Sequence, residues 1–194
     1  MAKSRDIYRR MKSVDNTRKI TRTMEMVATA KLRQAQTRVI EARPYATRLI
    51  EMIGRLTTPE LADLQPLLRQ PDKVKRAAVI LITSNRGLCG GFNSNLIRTA
   101  INELDELEQA GVETEFHVYG NKGISYFRFR GVEMVTEQND LGDPPTVDDA
   151  LVIISDLAQR FIEGELDAVR LVSAEFRNMV STPPAVIRIL PVGV

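Results

Sequence analysis

From Ile7 onward a seven-residue period runs through Val14, Thr21, Ala28, Ala35, Ala42, Leu49 and Leu56. A second row, four positions later, holds Met11, Leu32, Val39, Ala46 and Ile53, with Arg18 and Glu25 interrupting it. This heptad seam predicts one long helix over 4–56, apolar at both ends and small in the middle. Ser4 is the expected N-cap, and Asp6 then falls in the first turn, where the helix dipole favours a negative charge. Pro44 removes one backbone hydrogen bond and predicts a kink, since the period continues through Leu49 and Ile53. At ~1.5 Å per residue the helix measures roughly 80 Å, so it is expected to project from the rest of the chain. Its apolar stripe needs a partner helix, and no other segment here is long enough to supply one. Another chain, or a segment beyond Val194, is expected to do so.

Residues 57–76, with Pro59, Pro66 and Pro71, read as a linker. Beyond it the period changes. The continuous apolar run 77–83 predicts a strand buried on both faces. Helices are expected over 93–110, 121–130 and 146–161, and further strands over 113–119, 132–136, 168–176 and 185–191. This alternation predicts a Rossmann-like, largely parallel α/β domain over 77–194 with right-handed crossovers, its last two strands pairing as a hairpin. The fold class is therefore α/β: a long N-terminal coiled-coil helix plus a Rossmann-like domain.

The chain of 194 residues is 43% hydrophobic and 27% charged, which excludes collagen-like, low-complexity and disulfide-framework proteins. Its longest apolar run, 77–82, is too short to cross a bilayer. The net charge of +2 conceals two opposed parts. Residues 1–58 carry 14 Lys/Arg against 5 Asp/Glu, and residues 59–194 carry 13 against 20. A basic helix of this kind suits an anionic partner: nucleic acid, a membrane surface or an acidic protein.

Candidate chemistry centres on the glycine-rich stretch 83–93, between a buried strand and a helix. Backbone amides in that position can cradle phosphate. However, Gly87, Gly90 and Gly91 match neither G-x-G-x-x-G nor a Walker loop, so tight turns are the better account. Cys89 lies near Arg86 but has no recognisable base, because the one histidine, His117, falls in a strand. One cysteine and one histidine cannot hold a structural zinc. The carboxylates at Asp148-Asp149 and Glu103/Asp105/Glu106/Glu108 read as solvated helix faces. Neither a metal nor a cofactor is expected.

Two stretches carry a specific resemblance. Val14-Asp-Asn-Thr-Arg-Lys-Ile-Thr-Arg-Thr-Met-Glu-Met-Val-Ala-Thr-Ala-Lys-Leu32 resembles the N-terminal helix of the gamma subunit of F-type ATP synthase. Thr83-Ser-Asn-Arg-Gly-Leu-Cys-Gly-Gly-Phe-Asn-Ser-Asn95 is similar to the start of that family's α/β domain, and the spacing between the two fits, as does Pro44-Tyr45-Ala46. The resemblance implies a non-catalytic central rotor that couples proton flow to ATP synthesis by turning inside a ring of alpha and beta subunits. It implies the epsilon subunit and the c-ring as further partners, no nucleic acid, and a peripheral position on the cytoplasmic side of the inner cell membrane. It places Met24, Arg10, Lys19 and Arg22 near the ring contacts, and the loop with Asn85, Arg86 and Cys89 near the lower end of a catalytic subunit. The family usually has Asp where this chain has Asn85. It also continues past the position of Val194 into a returning C-terminal shaft helix, which this sequence lacks. Two other classes remain: a nucleotide-binding α/β enzyme with an oligomerising coiled coil, and a zipper-type nucleic-acid binder. The second lacks a regular leucine seam beside a separate basic block.

Overall fold

The computed structural model describes residues 2–56 and 65–192. Two compact units emerge, Met1–Met52 and Ile53–Val194. The first is built on helix α1 (Ala2–Leu56), which passes through Pro44 without ending. It is one continuous helix, as a heptad period that runs on past Pro44 requires. Because α1 already includes Ala2, Ser4 lies inside it and is not its N-cap, and Asp6 falls outside the first turn. Apolar seam residues such as Ile7, Val14 and Leu49 are exposed. Threonine hydroxyls at and beside the middle of the seam turn back onto the helix, Thr17 donating to the Ser13 carbonyl at 3.0 Å and Thr21 to that of Thr17 at 2.9 Å. That satisfies polar groups which a seam would otherwise leave facing a partner.

Of the expected linker, residues 57–64 lie outside the described residues. Its second half is held down: a 3-10 turn, Pro66–Leu68, buries Leu68, and Arg69 donates to the Leu166 carbonyl at 2.9 Å. The sheet follows as β1 (Arg76–Ile82), β2 (Glu113–Tyr119), β3 (Thr136–Gln138), β4 (Ala168–Ala174) and β5 (Pro184–Leu190). Between them lie α2 (Phe92–Gln109), α3 (Asn121–Arg130) and α4 (Val147–Ile162). The strand order is β3-β2-β1-β4-β5, with β1 parallel to β2 and β4, β2 parallel to β3, and β5 antiparallel to β4. The hairpin expectation holds. The third strand does not lie over 132–136, because the chain descends from the Gly131 cap and first meets β2 when the Val135 amide bonds to the Phe116 carbonyl.

β1 is central, and Ala77 to Leu81 are at most 1% exposed. Each buried Val, Ile or Leu there contributes about 1.5–3 kcal/mol, so this strand anchors the core. One face packs against Leu96, Ile97, Ala100 and Leu107 of α2 and Phe127 of α3. The other meets Leu157 and Phe161 of α4. Glu103 corrects the solvated-face reading of the α2 carboxylates: it is 6% exposed and hydrogen-bonds to Arg170 of β4. On α4 Asp148 is exposed as expected, and Asp149 adds a capping box with Thr146. Those Thr146 bonds hold its carboxyl below the usual carboxylate range.

Candidate functional site

The glycine-rich loop leaves the carboxyl end of β1 and enters α2. Its base is a close approach of three segments. The Thr83 hydroxyl accepts from the Gly123 amide at 2.9 Å and donates toward the Gly120 carbonyl at 3.1 Å. Gly120 has φ +102°, and an added Cβ would meet the Thr83 carbonyl oxygen at 2.2 Å, so only glycine fits there.

Above this base, Asn93 is the hub. Its Oδ1 accepts from the Ser84 amide at 3.0 Å, while its Nδ2 donates to Ser84 Oγ at 2.9 Å and Cys89 Sγ at 3.0 Å. The Ser84 hydroxyl in turn donates to the Arg86 carbonyl at 2.6 Å. Asn85 ties the loop sideways: its Oδ1 accepts from the Asn121 amide at 2.9 Å, and its Nδ2 donates to the Asn139 carbonyl at 2.8 Å. An aspartate at 85 would have no such donor, so the bond to the Asn139 carbonyl depends on the amide. Asn139 closes the ring by donating to Asn121 Oδ1 at 2.7 Å.

Asn85, Arg86 and Cys89 are thus brought together in one exposed, hydrogen-bonded loop. The thiol is free, and its polar partners are the Asn93 amide, the Ser84 hydroxyl and the Arg86 carbonyl. A cavity of about 300 Å³ lies beside it, lined by Cys89, Phe92, Asn95, Ala174, Thr182 and Pro184. Among the described residues no three His, Cys, Asp or Glu side chains converge as metal ligands. No helix among them is long and apolar enough to cross a membrane.

Arg10, Lys19, Arg22 and Met24 stand exposed on α1. Arg10 pairs with Asp6 at 3.6 Å and Lys19 with Asp15 at 2.8 Å, each one helical turn apart. At 100° per residue Met24 lies about 40° from Arg10, but Lys19 about 180° from it. The four residues therefore ring the helix and share no single face.

His117 is paired with Glu115, two residues earlier on the same face of β2. Its Nε2 lies 3.7 Å from Glu115 Oε2, and its Nδ1 lies 2.9 Å from the Thr136 hydroxyl. Burial pushes the imidazole below its ordinary pKa. The cluster lies within the packed face toward α4, away from the loop. Leu88, Asn93, Asn121 and Asn139 shape the loop and were not singled out in the sequence. The signal for the last two is an asparagine directly after the Gly120 turn and another at the exit of β3.

A sheet of this order with a long basic helix before it defines a class, an α/β domain joined to an extended helix. The family model for ATP synthase matches residues 3–194. The chain is 46% identical over 193 residues to an ATP synthase gamma chain of Gemmatimonas aurantiaca, covering 100% of this chain and 67% of that one. Against the gamma chain of Acidithiobacillus ferrooxidans the identity is 43% over 192 residues, covering 99% and 66%. This chain belongs to the ATP synthase gamma-chain family. It spans about two thirds of the length of the curated relatives it matches. The fold resembles a chain in the central stalk and c-ring structure of Tetrahymena thermophila mitochondrial ATP synthase, with TM-score 0.62 and 22% identity over 89% of this chain and 72% of that one. It also resembles a chain of the rotor of Euglena gracilis mitochondrial ATP synthase, with TM-score 0.55 and 17% identity over 89% and 57%.

Proposed function

We propose that this chain is the central rotor subunit of an F-type ATP synthase, turning inside the ring of alpha and beta subunits and coupling proton flow to ATP formation. The observation that carries this reading is the 46% identity, over the whole of this chain, to an ATP synthase gamma chain. The form of α1 supports it. A 55-residue helix with an exposed apolar seam and cations around its circumference can present different contacts on different sides. A rotor must do this if each orientation is to favour a different state of its surroundings.

The role is mechanical, with no covalent bond made or broken on this chain. Residues 1–56 form the shaft helix, 57–76 the connection and 77–194 the α/β domain. Arg10, Lys19, Arg22 and Met24 contact the ring from the shaft, and Asn85, Arg86 and Cys89 from the loop. The epsilon subunit and the c-ring are the further partners, and the complex holds the chain at the cytoplasmic face of the inner membrane. The nucleotide-binding enzyme is the weaker reading, because Gly87, Gly90 and Gly91 match neither phosphate-binding pattern.

Affinity purification of the tagged chain from its own cells tests this. Alpha and beta subunits should co-purify, with fewer copies of this chain than of the catalytic one. Recovery without any ring subunit overturns the reading.

A further inference from the structure

The chain enters and leaves the sheet at one margin. The register sets Ala77 beside Ala168 and Val169 beside Leu190, so the start of β1, the start of β4 and the end of β5 lie together. This margin is at the far end of the strands from the glycine-rich loop. Just past β5, the Val192 amide donates to the Leu67 carbonyl at 2.9 Å. A residue that follows the last strand is thus tied to one that precedes the first.

Arg69, two residues on from Leu67, is spread over the end of α4. Its Nη2 donates to the Leu166 carbonyl at 2.9 Å and to the Phe161 carbonyl at 3.3 Å. Its Nη1 lies 3.8 Å from Asp167 Oδ1, and its guanidinium carbon stands 4.9 Å from the centre of the Phe161 ring. A cation is favoured there by the helix dipole. Asp167 carries the connection onward: its Oδ2 accepts from the Lys75 amide at 2.8 Å and the Arg76 amide at 3.0 Å, and its own amide donates to the Arg76 carbonyl at 2.9 Å. A charged, proline-bearing linker without such bonds is a compliant tether. β1 does not need them to stay in place, since it is paired with β2 and β4 on its two sides. What they add is a second path for force.

We infer that this margin is a torque joint with Arg69 as its pin: force arriving along the chain before Gln65 passes through the guanidinium and the Leu67–Val192 bond into α4, β4 and β5, and not into β1 alone. The inference rests on the rotor reading, which supplies the force. Arg69 is a positioning residue in this role. Its planar fork reaches two carbonyls and a carboxylate together, which a lysine ammonium on a flexible stem cannot do with the same geometry.

The test uses the assembled synthase, its catalytic ring fixed to a surface and stalled with MgADP, and a probe rod on the c-ring. The thermal angular variance of the rod reads the stiffness of the rotor. Arg69→Met keeps an unbranched side chain over Phe161 but removes the bonds, and should raise the variance on the order of twofold as the joint opens locally. Arg69→Lys should give a smaller rise, and it carries the test should the Met variant fail to assemble. Thr146→Ala weakens the opposite end of α4, so it should lower the melting temperature and leave the variance unchanged. An assembled Met variant as stiff as the unaltered chain overturns the inference, as does a Lys variant without any rise where the Met variant does not assemble. A Thr146→Ala variance that rises as far as that of the Arg69 variant overturns it too, since general softening would then be the cause. Amide exchange at Val192, read on the full chain outside the complex, separates the two readings. Equal exchange in the unaltered chain and Arg69→Met removes the pin while the rotor reading stands. If the unaltered chain enters no ring, the rotor reading itself fails, and the joint with it.

Discussion

The Arg160 guanidinium grips the Glu115 carboxylate through two hydrogen bonds, Nη2 to Oε1 at 2.6 Å and Nη1 to Oε2 at 2.8 Å. They fasten α4 to β2 at the margin of the core, with both side chains largely covered. Arg160→Met should lower the unfolding free energy by about 2 kcal/mol, since the carboxylate is left without its cation. Glu115→Gln in that background should recover part of the loss, which a denaturant double-mutant cycle measures.

Protonation of the same cluster sets a pH window. Burial lowers the His117 pKa from its ordinary 6.5, outweighing the opposing pull of Glu115, with Arg160 and Asp156 the other charges that face it. The folded chain therefore binds this proton less readily than the unfolded one. The contribution is complete above about pH 6.5 and is lost as pH falls toward the depressed folded value. Glu115 is held below its ordinary 4.5 by the Arg160 hydrogen bond, so its contribution is lost at lower pH still. Urea midpoints should decline between pH 7.5 and pH 5.5, and His117→Gln should flatten that decline.

Gly120 and Gly131 separate two costs. Both have positive φ, but only Gly120 faces backbone where a Cβ would stand. Gly131→Ala should cost about 1 kcal/mol, the conformational term alone. Gly120→Ala should cost about 3 kcal/mol or more, because β1 and α3 must separate to admit the methyl. Thermal melts of the two variants decide it, and equal losses would contradict the close approach.

Asn85→Asp removes the donor to the Asn139 carbonyl. A loss of about 1 kcal/mol is expected, with faster amide exchange in the loop after β3. Unchanged exchange there would show that the asparagine bridge does not hold the loop.

Helix α4 should lose about 1 kcal/mol on Thr146→Ala, the usual cost of removing a hydroxyl N-cap. Far-UV circular dichroism during a urea titration reads it.

Local pattern was enough for several elements. The heptad period specified α1 through Pro44, and the run 77–82 specified a doubly buried strand, because periodicity reports directly which faces are covered. The helix at 121–130 agrees residue for residue, bounded by Gly120 and Gly131. The loop was located by its glycines, yet its bracing was not legible. Asn85, Asn121 and Asn139 lie far apart along the chain and meet only because β1, β2 and β3 end at one edge.

Sequence alone determined the long helix, the buried central strand and the position of the glycine-rich turn, since each depends on near neighbours and on which residues prefer water. Only the tertiary structure decided that Glu103 is buried against Arg170, that Glu115 serves both His117 and Arg160, and that Leu88 stands exposed at a positive φ. Such contacts join residues that no local period relates, and their energies arise from burial and pairing that exist only once the strands are side by side.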